Sequence, residues 1–128
     1  MSDLPPLVRV FMTDHIRTLA ELQLLITCMD SDDRWWDATA AARELGISAL
    51  AARHALDHLA SRNLFDIRIT GDVRYQFHPG TEELRDAAQI LFDTYRANPV
   101  AVVNLVAGAS RRSIRDFADA FRIRKHDR

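Results

Sequence analysis

His54 and His58 stand four residues apart, the spacing that lets one helix face clamp a metal ion. Such a site needs a third ligand, which spacing alone does not select, so the pair reads as part of a polar helix face. Cys28 is the single cysteine and lies in the apolar run Leu24–Met29. A reactive thiolate wants a cationic, partly exposed setting, so Cys28 reads as a small core residue. Trp35 and Trp36 are adjacent. Trp36 is expected in the core, and Trp35 is left open between core and an exposed aromatic platform. Ser48, Arg53 and His54 can donate or accept hydrogen bonds from one helical stretch. There is no Gly-rich phosphate loop, no Gly-x-Ser-x-Gly, no His-Glu-x-x-His and no isolated carboxylate pair. The chain reads as no enzyme, with no metal and no cofactor.

The elements that must position these groups follow from periodicity. Residues 1–12 begin with Pro5–Pro6 and turn apolar, as an extended arm or short helix. Thr13 or Asp14 is expected to cap a helix to about Met29, with Ile16, Leu19, Leu22, Ile26 and Met29 inward. Asp37 caps an Ala-rich helix, 38–45, and Gly46 sits where a left-handed residue ends it. Ser48 caps a third helix to about Arg62, with Ala52, Ala55 or Leu56, and Leu59 inward. The period then changes to two in 65–70 and 73–78, joined by Gly71-Asp72, which signals a β-hairpin. Thr81 caps a further helix striped by Leu84, Ala88, Leu91 and Tyr95. Asn98-Pro99 marks another start, though the β-branched run 100–106 leaves 99–107 open between helix and strand. Ser110 or Ser113 caps a last helix, with Ile114, Phe117, Ala118 and Phe121 on one edge.

Helix, helix, Gly-centred turn, helix, hairpin: from Leu19 to His78 the chain resembles a winged helix-turn-helix domain. The residues carrying the likeness are Trp36-Asp37-Ala38, Ala42-Arg43-Glu44-Leu45-Gly46-Ile47-Ser48, and Leu56, Leu59 and Asn63-Leu64-Phe65. It is similar to the small bacterial transcriptional regulators of the MarR and PadR kind. The fold expected is mostly α with one β-hairpin: an arm (1–12), a winged helix-turn-helix domain (13–80) and a C-terminal helical region for dimerisation (81–128). The resemblance implies binding of double-stranded DNA as a homodimer. The helix 48–62 would lie in the major groove and the wing 65–78 on the backbone. Ser48, Ala49, Leu50, Arg53, His54, Arg62, Arg68 and Arg74 would then touch DNA. Leu91, Tyr95, Val102, Val103, Val106, Phe117 and Phe121 would form the dimer seam.

Charge bears on that reading. The 128 residues hold 17 Lys+Arg and 18 Asp+Glu, a formal charge of −1. Residues 1–80 hold eight Arg against eleven acids, and the last eighteen are the most basic stretch. A tight DNA binder neutralises several phosphates, and residues 43–78 carry only five Arg against four acids. Ala49 and Leu50 offer no hydrogen bonds where base readers sit. The alternative is therefore a winged-helix module that docks on a protein partner. No apolar stretch is long enough for a membrane span, and the first residues lack the basic region of a signal peptide. The chain is expected to be cytoplasmic.

Overall fold

The computed structural model describes residues 4–31 and 33–106. Helix α1 spans Pro6–His15, α2 Leu19–Asp30, α3 Ala38–Leu45, α4 Ala49–Ser61 and α5 Glu82–Ala97. Residues 99–106 are also helical. Two strands, β1 Phe65–Thr70 and β2 Asp72–Phe77, form an antiparallel hairpin. The fold is thus mostly α with one β-hairpin.

Most helices start where a short polar side chain replaces the missing intrahelical acceptor. Asp37 accepts from Ala40 N, Ser48 from Ala51 N, Thr81 from Leu84 N and Asn98 from Ala101 N. Asn98 followed by Pro99 starts a helix despite its valines. Val102 and Val106, one turn apart, are both buried, and that burial outweighs their β propensity.

The first helix differs from expectation. No single helix runs from residue 13 to 29. Helix α1 crosses the expected arm boundary, ends at His15, and buries Val8, Phe11 and Met12. The chain then extends, and Thr18 caps α2 by accepting from Glu21 N at 3.1 Å. The buried side of α2 is also wider than the predicted stripe. Leu22, Leu24, Leu25 and Cys28 are buried, whereas Leu19 is exposed. The cause is position: α2 packs against α3, α4 and β2.

Between α3 and α4, Gly46 holds φ +71° and its N–H bonds to Ala42 O at 2.8 Å. A Cβ there would meet no atom within 4 Å, so the constraint is backbone conformation alone. Gly46→Ala is therefore expected to cost about 1 kcal/mol, measured by urea unfolding followed by circular dichroism. In α4, Ala52, Ala55, Leu56 and Leu59 all face inward.

The hairpin register pairs Phe65 with Phe77, Ile67 with Tyr75 and Ile69 with Val73. Thr70 pairs with Asp72, so the chain reverses about Gly71 (φ +93°) rather than about the expected Gly71-Asp72 pair. Only the base of the apolar face is covered. Phe65, Tyr75 and Phe77 are buried, while Ile67 is 43% and Ile69 73% exposed. One further residue pairs with the hairpin: Trp36 exchanges two main-chain hydrogen bonds of 2.7 Å with Tyr75. One apolar core, from Leu4 to Val106, joins all these elements.

Candidate nucleic-acid interface

The outer side of the first turn of α4 is exposed. Ser48, Ala49, Leu50, Arg53 and His54 all face solvent, and Leu50 is 64% exposed. Arg62 is exposed too, but it caps the far end of α4, about 20 Å along the axis from Ser48. Arg68 is exposed and Arg74 half-buried on the hairpin. The sequence thus brought five of the eight named residues to one surface, with Arg68 and Arg74 on the adjoining hairpin.

Most of these cations are already engaged. Arg53 Nε lies 3.8 Å from Asp57 Oδ2, and Arg74 Nε 3.1 Å from Asp72 Oδ2. The Arg68 guanidinium sits 4.5 Å from the Trp35 ring centre. Arg62 has no ion pair among the described residues. Trp36 is buried, at 2% exposure, and Trp35 is half-buried.

Asp57 joins helix and hairpin. Its Oδ1 accepts from the Tyr75 hydroxyl, while its other oxygen faces Arg53. Burial and the Asp57 carboxylate push the Tyr75 hydroxyl up to about 12. Tyr75 therefore remains a donor at neutral pH, and the link from β2 to α4 persists. In the sequence, Tyr75 falls in the period-two run 73–78 and Asp57 is one of the four acids of residues 43–78. Eighteen residues separate them, so nothing local announced the bond.

The histidine pair does not converge. His54 is exposed, whereas His58 turns inward, with Nε2 3.8 Å from Glu21 Oε1. Glu21 is 2% exposed and also accepts from Arg17 N at 2.7 Å and Arg17 Nη2 at 3.1 Å. His58 thus belongs to a buried polar contact between α2 and α4. No group of three or more metal-ligating side chains occurs among the described residues.

Cys28 is buried, and that burial pushes its thiol up to about 12. Almost no thiolate exists at pH 8. Ellman's reagent is expected to leave Cys28 untouched in the folded chain and to titrate one thiol after denaturation.

The expected dimer seam needs correction. Leu91, Val102 and Val106 are buried inside this chain's own core, because α5 and residues 99–106 fold back on it. Tyr95 and Val103 are half-buried against the same core. Phe117 and Phe121, with the expected last helix, lie outside the described residues. Away from α2, α4 and the hairpin, the exposed large apolar side chains among the described residues are instead Leu7 and Val10 on α1, Ile90 on α5 and Val100.

Comparison with known proteins adds a fold. The chain is similar to the crystal structure of RV1404 from Mycobacterium tuberculosis, with a TM-score of 0.52. The two are 19% identical, over 88% of this chain and 78% of that one. At that identity the likeness is one of architecture. Neither protein-family models nor the curated proteins contain a match. Among the described residues, no helix is long and apolar enough to cross a membrane.

Proposed function

We propose that the chain is a winged helix-turn-helix regulator of transcription that binds double-stranded DNA, as a homodimer in the cytoplasm. The observation that carries this reading is the joint presentation of α4 and the hairpin. The helix α4 starts after a Gly46 turn, exposes the outer side of its first turn, and is tied to β2 through Asp57 and Tyr75. That arrangement suits a recognition helix in the major groove with a wing on the flanking backbone. Arg53 would reach a guanine edge, and His54 a base edge or phosphate. Ser48 and the free amides of α4 would hold phosphate. Arg62, Arg68 and Arg74 would take backbone contacts. A second copy would pack on the exposed Leu7, Val10 and Ile90 and set the half-site spacing.

A second reading rests on the apolar groups of the same surface. Leu50 and Ile69 are well exposed, and Arg53 and Arg74 are partly neutralised by Asp57 and Asp72. A surface of that kind also suits a protein partner.

Fluorescence anisotropy with a labelled random-sequence duplex separates the two. Under the DNA reading, affinity falls steeply as salt rises from low to physiological ionic strength. Absence of binding even at low salt overturns direct DNA recognition. A pull-down that loses its partner with Leu50→Asp would then support protein docking.

A further inference from the structure

Away from α4 and the hairpin tip, a cavity of about 390 Å³ opens between α2, the loop before α3 and the end of α5. That volume lies within the range of small-molecule sites. Four charged side chains line it: Asp30 and Glu44, Arg34 and Arg96. None of the four forms an ion pair or a side-chain hydrogen bond among the described residues. Two cations and two anions thus face one space without neutralising one another.

The arginines lie against the cavity's aromatic walls. The Arg34 guanidinium lies 3.7 Å from the Trp36 ring centre, and that of Arg96 5.6 Å from the ring centre of Phe92. A guanidinium stacked on a ring keeps its N–H groups in its own plane, free to fork onto a carboxylate. Trp36 adds a separate sign of unfinished bonding. It is 2% exposed, and its indole Nε1–H has no partner among the described residues. A buried donor left unpaired is costly and uncommon.

We propose that this cavity binds a free α-amino acid with an apolar side chain. Arg34 and Arg96 take the carboxylate, Asp30 and Glu44 take the ammonium group, and Ile26, Phe92 and Tyr95 bound the side chain. A ligand of one charge would engage one pair and set its own charge beside the two like charges, and that favours a zwitterion over a simple acid or amine. Binding here is independent of whether α4 contacts DNA.

Isothermal titration of the full chain with L-leucine and with L-phenylalanine tests the site, with Trp emission as a second readout. At least one of the two is expected to saturate below about 10 mM and to shift Trp emission. For leucine, 4-methylpentanoate lacks the ammonium and isopentylamine lacks the carboxylate; for phenylalanine, 3-phenylpropanoate and 2-phenylethylamine do the same. Each analogue is expected to bind at least about tenfold more weakly than its parent. Arg96→Gln and Glu44→Gln change exposed side chains, so circular dichroism should be unaltered while affinity falls at least about fivefold. No saturation with either amino acid overturns the proposal. So does equal binding of the single-charge analogues, or wild-type affinity in both variants.

Discussion

Trp36→Ala is expected to destabilise the fold by about 3–5 kcal/mol and to lower Tm by roughly 10–20 °C. Three losses coincide at this position. The indole is 2% exposed, so its removal leaves a cavity in the core. The Arg34 guanidinium loses the ring it covers. The residue also supplies the third strand's worth of pairing to the hairpin, through the two hydrogen bonds with Tyr75. Alanine retains the backbone groups for those bonds but lacks the side chain that pins the segment beside β2. Trp36→Phe keeps most of the apolar volume, and its unpaired indole N–H disappears with the change. The cost of Trp36→Phe is therefore expected to be less than half that of Trp36→Ala. Thermal melts and urea unfolding of both variants check this, and equal losses would show that packing volume is not what Trp36 contributes.

Signals confined to a few neighbouring residues were readable from sequence. Asp37, Ser48, Thr81 and Asn98 each cap the helix expected of them. Gly46 takes the left-handed conformation its place after α3 implied. The break between α1 and α2 carried a local signal as well. Thr18-Leu19-Ala20-Glu21 has the Thr-x-x-Glu pattern of a capping box, but Thr13 and Asp14 compete with it as caps. Contacts set by tertiary placement were not readable. Alternation placed Ile67 and Ile69 on the same face as Phe65, yet only packing decides how far along the hairpin the core extends. Burial of Leu91, Val102 and Val106 in their own chain required knowing that α5 and residues 99–106 return to the core. At the candidate interface, the types and exposure of the α4 residues were foreseeable, whereas the pairing of Arg53 with Asp57 and the stacking of Arg68 on Trp35 were only partly so. The first is an i, i+4 pair on a helix. The second joins residues 33 positions apart, and no local pattern encodes it.

Those two arginines carry the second prediction. On the DNA reading, Arg53→Ala with Arg68→Ala is expected to weaken duplex binding about 100-fold at low salt, or about 2.7 kcal/mol. The log–log salt slope is expected to flatten by roughly 2–4, since a dimer loses four cations. Their existing contacts do not remove this effect. Arg53 and Asp57 are 3.8 Å apart, with side chains 60% and 49% exposed. Such an exposed pair holds its arginine by about 0–1 kcal/mol, less than a phosphate or guanine contact returns. Arg68 over Trp35 is held with similar modesty at an exposed site. Asp57→Asn gives the opposite sign. It removes the acid nearest Arg53 while leaving an oxygen to accept from Tyr75, so affinity should rise severalfold. Anisotropy titrations across salt check all three variants, with circular dichroism confirming that each remains folded. A double variant with unchanged slope would place the DNA elsewhere on the chain. An Asp57→Asn that weakens binding would mean the carboxylate's hold on Arg53 and Tyr75 orients α4 and the hairpin for DNA, and that this orientation outweighs the repulsion between the acid and phosphate.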